Sequence, residues 1–566
     1  MFLSGLLSAL LLQVACFVEL SACFDTPDSE FPSLADATLD ELRAGLDSGN
    51  FTSVDLVRAY LARIGEVNAI LHAVNEINPH AISIASAKVG ELQSGHALPS
   101  PLHGIPILLK DNIATDDELN NTAGSYALLG AKPKEDSTVA AKLRKAGAII
   151  LGKTNLSQWA GMRGANASNG WSAYGGQTMG AYFPNQDPSG SSSGSAVASS
   201  IGLAWASLGT ETYGSIVDPS HINNVVGIKP TIGLTSRYLV IPVSEHQDSV
   251  GPIARTVKDA AFLLTAIAGL DPKDNYTSAS PHGEQPPNYV LACKKDGLQG
   301  KRLGVPKNIL DFPRDPTADP AFDVFDETLD ILRAAGAEIV EDIYLPGIKP
   351  LVDNEWAGRV TGQDFLTDLP RYLANLRLNP NDITNVAQLR EFSRKFPAEG
   401  YPDRTTDIWD DVIERGYNNT SPDWWSNYTT EFYYASALGL PGALKNYSLD
   451  AMVMPTVYAS LLAAIAGTPV ISVPLGRAPD DTPFRKNKYG TMNMSGPNQP
   501  FGLGFAGDYF DEESLIEMAY AFEQLTVMRM RILPYIKPTT ELGAVVKMRK
   551  MEDGDDDNEN INNMEL

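Results

Sequence analysis

Cysteine is nearly absent: Cys16, Cys23 and Cys293 are the only thiols in 566 residues. Cys16 lies inside an apolar leader, so no disulfide framework can be drawn. No C-x-x-C, no H-E-x-x-H and no His/Cys cluster occurs, so neither a metal nor any other cofactor is expected. Cations are also short. Lys and Arg number 44 against 69 Asp and Glu, for a net charge of −25 and a pI of 4.7. Such a surface repels phosphate backbones and anionic lipid, which excludes nucleic acid and acidic membranes as partners. The apolar stretch Leu6 to Val18 has the length of a signal-peptide core and is too short to read as a membrane span. No repeat of solenoid length is present.

What is there begins at that leader. Ser21-Ala22-Cys23 offers small residues for cleavage, and residues 1–22 read as a signal peptide, although no Lys or Arg precedes the apolar core. Leu20-Ser21-Ala22-Cys23 also matches a bacterial lipoprotein signal formally. Against that, Asn50, Asn120, Asn166, Asn275, Asn418, Asn427, Asn446 and Asn493 each head N-x-S/T, a density expected of a glycosylated, secreted eukaryotic chain.

The whole chain is 43% hydrophobic and 20% charged, ample for a large core. Thr38 with Glu41 makes a capping box before a helix from Leu39 to Leu46. Ser53–Ile64 and Ala81–Leu92 read as further helices, and Gly104–Leu109 as a strand. Ser137 caps a helix to Lys145, and Ala148–Leu151 follows as a buried strand. Thr256 caps Val257–Ala268, and Pro320 opens a helix to Ala335 ahead of the strand Glu338–Val340. Ser514–Met528 is a late amphipathic helix. The alternation predicts an α/β fold with a largely covered sheet; length alone suggests two or more domains, although large single-sheet enzymes also reach this size. Residues 345–450 turn rich in Trp, Tyr, Asn, Asp and Arg. They read as helices packed over the sheet, and such an insertion can also wall a substrate pocket. Residues 551–566 are acidic, Asn-rich and poor in large apolar groups, and disorder is expected there.

Three places carry chemistry. Ser189-Gly190-Ser191-Ser192-Ser193-Gly194-Ser195 has the composition of a linker. It runs directly into a small-residue helix, Ala196–Trp205, and a short strand, Ala206–Leu208, which a linker would not. Its G-x-S-x-G match requires a buried strand in front, whereas Phe183–Pro188 is turn chemistry, so a nucleophile elbow is disfavoured. Gly209-Thr210-Glu211-Thr212-Tyr213-Gly214-Ser215-Ile216 ends a strand in a turn that can gather backbone N–H groups around one point, as an oxyanion hole requires. An ordinary glycine turn with a solvated serine is the plainer reading. Lys110 closes the apolar run Gly104–Leu109. Most lysines at strand ends reach solvent, but a buried one loses its proton more readily, and only a neutral amine accepts a proton from serine. His221, near Ser215 in sequence, is the rival base.

At these residues the chain resembles the amidase signature family, the Ser–Ser–Lys amidohydrolases that include fatty-acid amide hydrolase and the amide-cleaving component of amidotransferases. The resemblance runs from about Leu34 to Leu542 and implies one large domain over 34–542 with a mixed central sheet covered by helices on both faces. G-x-P-x-x-x-K-D stands at Gly104–Asp111, the serine run at Ser189–Ser195, and G-T-[DE]-x-x-G-S-[IV] at Gly209–Ile216. Gly227–Thr231, Gln247–Pro252, Gly467–Pro474 and Ala521–Gln524 follow in family order. The resemblance implies that Ser215 is the acyl-forming nucleophile, that Ser191 is a bridging serine on a cis Gly190–Ser191 peptide, and that Lys110 is the base. It also implies that the N–H groups of Thr212, Tyr213, Gly214 and Ser215 bind the oxyanion. Ala160, after Lys153-Thr154-Asn155-Leu156, is expected to line the acyl pocket.

Three positions depart from the pattern. Ser189 and Leu239 stand where glycine is usual, and Tyr213 where Gly or Asp is usual. The expected reaction is hydrolysis of a small-molecule carboxamide through an acyl-enzyme. Acyl transfer to an amine and a non-catalytic binding protein on the same fold are the alternatives, and a homodimer is left open. A role within a glutamine amidotransferase is excluded by the secretory reading, since a secreted chain would not meet transfer RNA.

Overall fold

The computed structural model describes residues 31–96, 98–311, 319–353 and 356–553. The expected signal peptide at 1–22, which contains Cys16, lies outside the described residues, as do Cys23 and the tail from 554. Eleven strands form one mixed sheet. Numbering those strands alone, they are β1 (Val74–Ile77), β2 (Pro106–Lys110), β3 (Ile149–Thr154), β4 (Ala206–Glu211), β5 (Val226–Lys229), β6 (Ser249–Ala254), β7 (Arg302–Pro306), β8 (Glu338–Ile343), β9 (Ala451–Pro455), β10 (Val470–Arg477) and β11 (Pro500–Ala506). Their spatial order is β1-β3-β2-β4-β6-β5-β10-β11-β9-β7-β8. Strands β3, β2 and β4 are mutually parallel, as are β9, β7 and β8, while the middle of the sheet is antiparallel.

Every residue of β2, β3 and β4 is buried, the signature of strands covered on both faces. Alternation shows the two layers directly. On β9, Ala451 and Val453 join one hydrophobic cluster while Met452 and Met454 join another. The first cluster takes in Val257–Ile267 and Glu512–Thr526, and the second takes in Val217–Ile222 and Thr456–Ala466. The α/β expectation therefore holds, with helices over both faces.

Local signals explain most elements. The Thr38/Glu41 capping box is formed, and Gly49 closes that helix at φ 75°. Ser137 and Thr256 cap as expected. The segment after the serine run differs from expectation. Its helix begins at Ser193 and ends at Ser200. Gly202 turns the chain at φ 67°, and a Cβ there would lie 2.1 Å from the Leu34 carbonyl. Residues 551–553 are not disordered as expected; they complete the helix Leu542–Asp553. The insertion over 345–450 carries several helices joined by turns and loops, and the strand Leu376–Leu378, which pairs with Lys132–Pro133. Among the sequons, Asn493 is 5% exposed and donates to the Pro184 carbonyl at 2.7 Å, so the folded protein cannot present it for glycosylation.

Candidate active site

Strands β3, β2 and β4 end together, and open crevices of α/β sheets lie beyond the carboxyl ends of such parallel strands. Lys110 is the last residue of β2. It is fully buried, and its Nζ lies 2.8 Å from Ser191 Oγ, 2.9 Å from Thr210 Oγ1 and 3.0 Å from the Thr210 carbonyl. Burial lowers its pKa to about 7, only partly opposed by the charges of Asp248 and Glu211. Among the described residues no carboxylate forms an ion pair with it. A neutral amine has two protons and one lone pair. Thr210 offers two acceptors, which leaves the lone pair for the Ser191 hydroxyl.

The Gly190–Ser191 peptide is cis. Ser191 is 3% exposed, and its carbonyl accepts the Ser157 N–H at 3.0 Å. The helix that begins at Ser193 packs on β4, and Ser192 N–H donates to the Ser215 carbonyl at 3.1 Å, which ties the two serine segments together. Ser215, Ser191 and Ala160 line one cavity of about 490 Å³. Ile408 of the helix Asp407–Glu414 lines it too, so the insertion does wall this pocket.

The turn before Ser215 is built on Glu211. Its carboxylate accepts N–H groups from Gly214 (2.9 Å), Ile216 (2.7 Å) and Val217 (3.0 Å). Of the four N–H groups expected to serve as oxyanion donors, that of Gly214 is therefore already committed to Glu211. The positive φ of the turn, 72°, falls on Gly214, and a Cβ there would lie 2.0 Å from Asp218 Oδ2. Tyr213 is spared that conformation, so a side chain is tolerated at 213; its ring is 44% exposed. Thr212 Oγ1 donates to Asp248 Oδ1 at 2.5 Å, and Asp248 Oδ2 accepts the Val243 and Ser244 N–H groups.

The other two departures from glycine do fall on left-handed backbone, Ser189 at φ 59° and Leu239 at φ 57°. Ser189 is held from both sides: its N–H donates to Asp187 Oδ1 at 2.9 Å and its carbonyl accepts Ser193 Oγ at 2.5 Å. Trp159 and Ala160 are also left-handed, at φ 56° and 55°. Trp159 is wedged edge-on against Phe365 and Trp409 of the insertion. His221 packs against Gly502 of β11, outside the cavity, and does not serve as the rival base.

Sequence reasoning did not find Thr210, Glu211, Asp248 or Asp187. The first three stand inside the quoted motifs, but their partners, Lys110 and Asn112 for Thr210, backbone N–H groups for Glu211, and Thr212 with two backbone N–H groups for Asp248, are not marked by any residue pattern.

The family described as Amidase matches residues 55–460 of this chain. A relative from Arthroderma benhamiae described as an amidase is 45% identical over 543 residues, covering 92% of this chain and 91% of that protein. One from Arabidopsis thaliana, also described as an amidase, is 36% identical and covers 93% and 97%. The solved structure of native peptide amidase from Stenotrophomonas maltophilia superposes with a TM-score of 0.78 at 35% identity, covering 89% of this chain and 99% of that one. With its buried lysine, its paired serines and these relatives, the chain belongs to the amidase family.

Proposed function

We propose that the protein hydrolyses a linear carboxamide through an acyl-enzyme on Ser215, with Ser191 as proton relay and Lys110 as base. The observation that carries this reading is the buried Lys110 Nζ, 2.8 Å from Ser191 Oγ and without a carboxylate partner among the described residues. Ser215 Oγ attacks the amide carbon. Its proton passes to Ser191 as the Ser191 proton passes to Lys110. The N–H groups of Thr212, Tyr213 and Ser215 are the donors left for the tetrahedral oxyanion, and each such donor is worth about 3 kcal/mol of transition-state stabilisation. The proton then returns through Ser191 to the leaving nitrogen, the C–N bond breaks and an amine departs. Water, deprotonated by the same route, attacks the ester and releases the acid.

The similarity to a peptide amidase supports amides of amino acids or peptides as the substrate class. Acyl transfer would need water excluded from the same intermediate, and Tyr213 is not among the residues that line the cavity. Secretion belongs to the same proposal, supported by exposed sequon residues such as Asn50, Asn275 and Asn446. A fluorophosphonate probe should label the wild type and fail to label Ser215→Ala. Undiminished labelling of that variant would remove Ser215 from its role.

A further inference from the structure

The catalytic cavity contains one buried charged group that the reaction does not use. Asp187 lines it together with Ser191, Ser215 and Asn487, and it is only 4% exposed. A buried Asp is ordinarily paired with a cation. Among the described residues no Lys, Arg or His forms an ion pair with Asp187. Its neighbours are neutral: Oδ1 accepts the Ser189 N–H at 2.9 Å and Asn169 Nδ2 at 3.1 Å, and the Asn487 side chain faces the carboxyl. Burial raises its pKa, as expected of a carboxylate left without a partner. Lys488 lines the same cavity, but its ammonium is held over the Tyr489 ring, 4.9 Å from the ring centre, and the residue is exposed at the rim.

The turn makes the position of the carboxyl significant. Asp187 is fixed by its bond to Ser189, two residues before the bridging Ser191. It lines the same cavity as the reacting Ser191 and Ser215. We infer that Asp187 is a specificity-determining residue, an anionic subsite that receives a protonated amine of the substrate close to the scissile carboxamide. The chemical class is an amide bearing a free ammonium, such as an amino-acid amide. The net charge of −25 supports this, because it concentrates cations at the protein surface. The inference rests on the proposed amidase reading, and its test separates the two.

Leucinamide carries a free ammonium where N-acetylleucinamide carries a neutral acetamido group. In the Ser215→Ala protein, where no turnover is needed, leucinamide should bind more tightly by about tenfold or more, the scale expected when a buried carboxylate gains its partner. Asp187→Asn in the same background keeps an acceptor for the Ser189 N–H and should bring the two affinities together. In the catalytically intact protein, the ratio of kcat/KM for the two amides should fall by a similar factor on Asp187→Asn. A uniform loss on both amides would make Asp187 only a support for the Ser189 turn and would overturn the inference. Equal binding of the two ligands with Asp187 intact would overturn it without any variant. Selective binding without hydrolysis of either amide would instead uphold the subsite and count against the amidase reading.

Discussion

Lys110 keeps a usable lone pair because its neighbours are two oxygens of one threonine and one serine hydroxyl, with no ion-pair partner among the described residues. An arginine there would stay charged at any accessible pH, since a guanidinium does not deprotonate in proteins. Lys110→Arg should therefore lower kcat/KM by about 10²–10⁴-fold, the usual contribution of a positioned acid–base group. The pH profile carries the sign. The amine must be neutral to act, so wild-type kcat/KM should rise with pH through about 7 and level off above it. The rise should be absent from the residual activity of Lys110→Arg, and a variant that kept the same rise would point to another base. At this scale the sequence was legible where chemistry restricts the residue type. Lys110, Ser191 and Ser215 were identified by motif, and the structure brings Ser191 and Ser215 into one cavity with Lys110 against Ser191. It was less legible for backbone demands. Ser189, Leu239 and Tyr213 all break the glycine pattern, yet only the first two occupy left-handed φ. Sequence shows which residue replaces glycine but not which peptide carries the turn.

Between elements, the insertion and the site are joined by a buried polar knot. Glu399 and Arg163 are both fully buried and pair at 2.8 Å. Glu399 also accepts from Ser125 Oγ (2.7 Å), the Tyr126 N–H (2.8 Å) and Gln158 Nε2 (2.7 Å). Gln158 immediately precedes the left-handed Trp159 and Ala160, so the knot anchors the segment that lines the cavity. Removing one partner of a buried pair strands the other charge. Glu399→Ala should cost about 3–5 kcal/mol of unfolding free energy in denaturant titration. A loss below about 1 kcal/mol, the scale of an exposed pair, would show that the knot does not hold the insertion in place. The insertion's aromatic composition predicted helices and a pocket wall. Its docking through Glu399 was hidden, because Arg163 and Glu399 are far apart in sequence and neither sits in a motif. The short pairing of Leu376–Leu378 with Lys132–Pro133 was equally unsignalled.

Across the whole molecule, the fold serves to bring three parallel strand ends to one crevice. Strand β2 supplies the lysine, β4 leads into the nucleophile turn, and β3 leads into the loop that carries Ala160. The sheet's helix–strand alternation was readable from caps and apolar runs. Its order was not, because β10 and β11 enter the middle of the sheet between β9 and β5, and β5 comes from much earlier in the chain. Such long-range pairings leave no local pattern in the residues that make them. The claim that this architecture presents Ser215 as an acylating nucleophile is tested most directly by trapping the intermediate. Protein mixed with an activated amide, quenched in acid during the first turnover and mapped by peptide mass spectrometry should carry the acyl group on Ser215 and on no other residue. Continued amide turnover with the acyl group on a different side chain, or by Ser215→Ala at the wild-type rate, would contradict it.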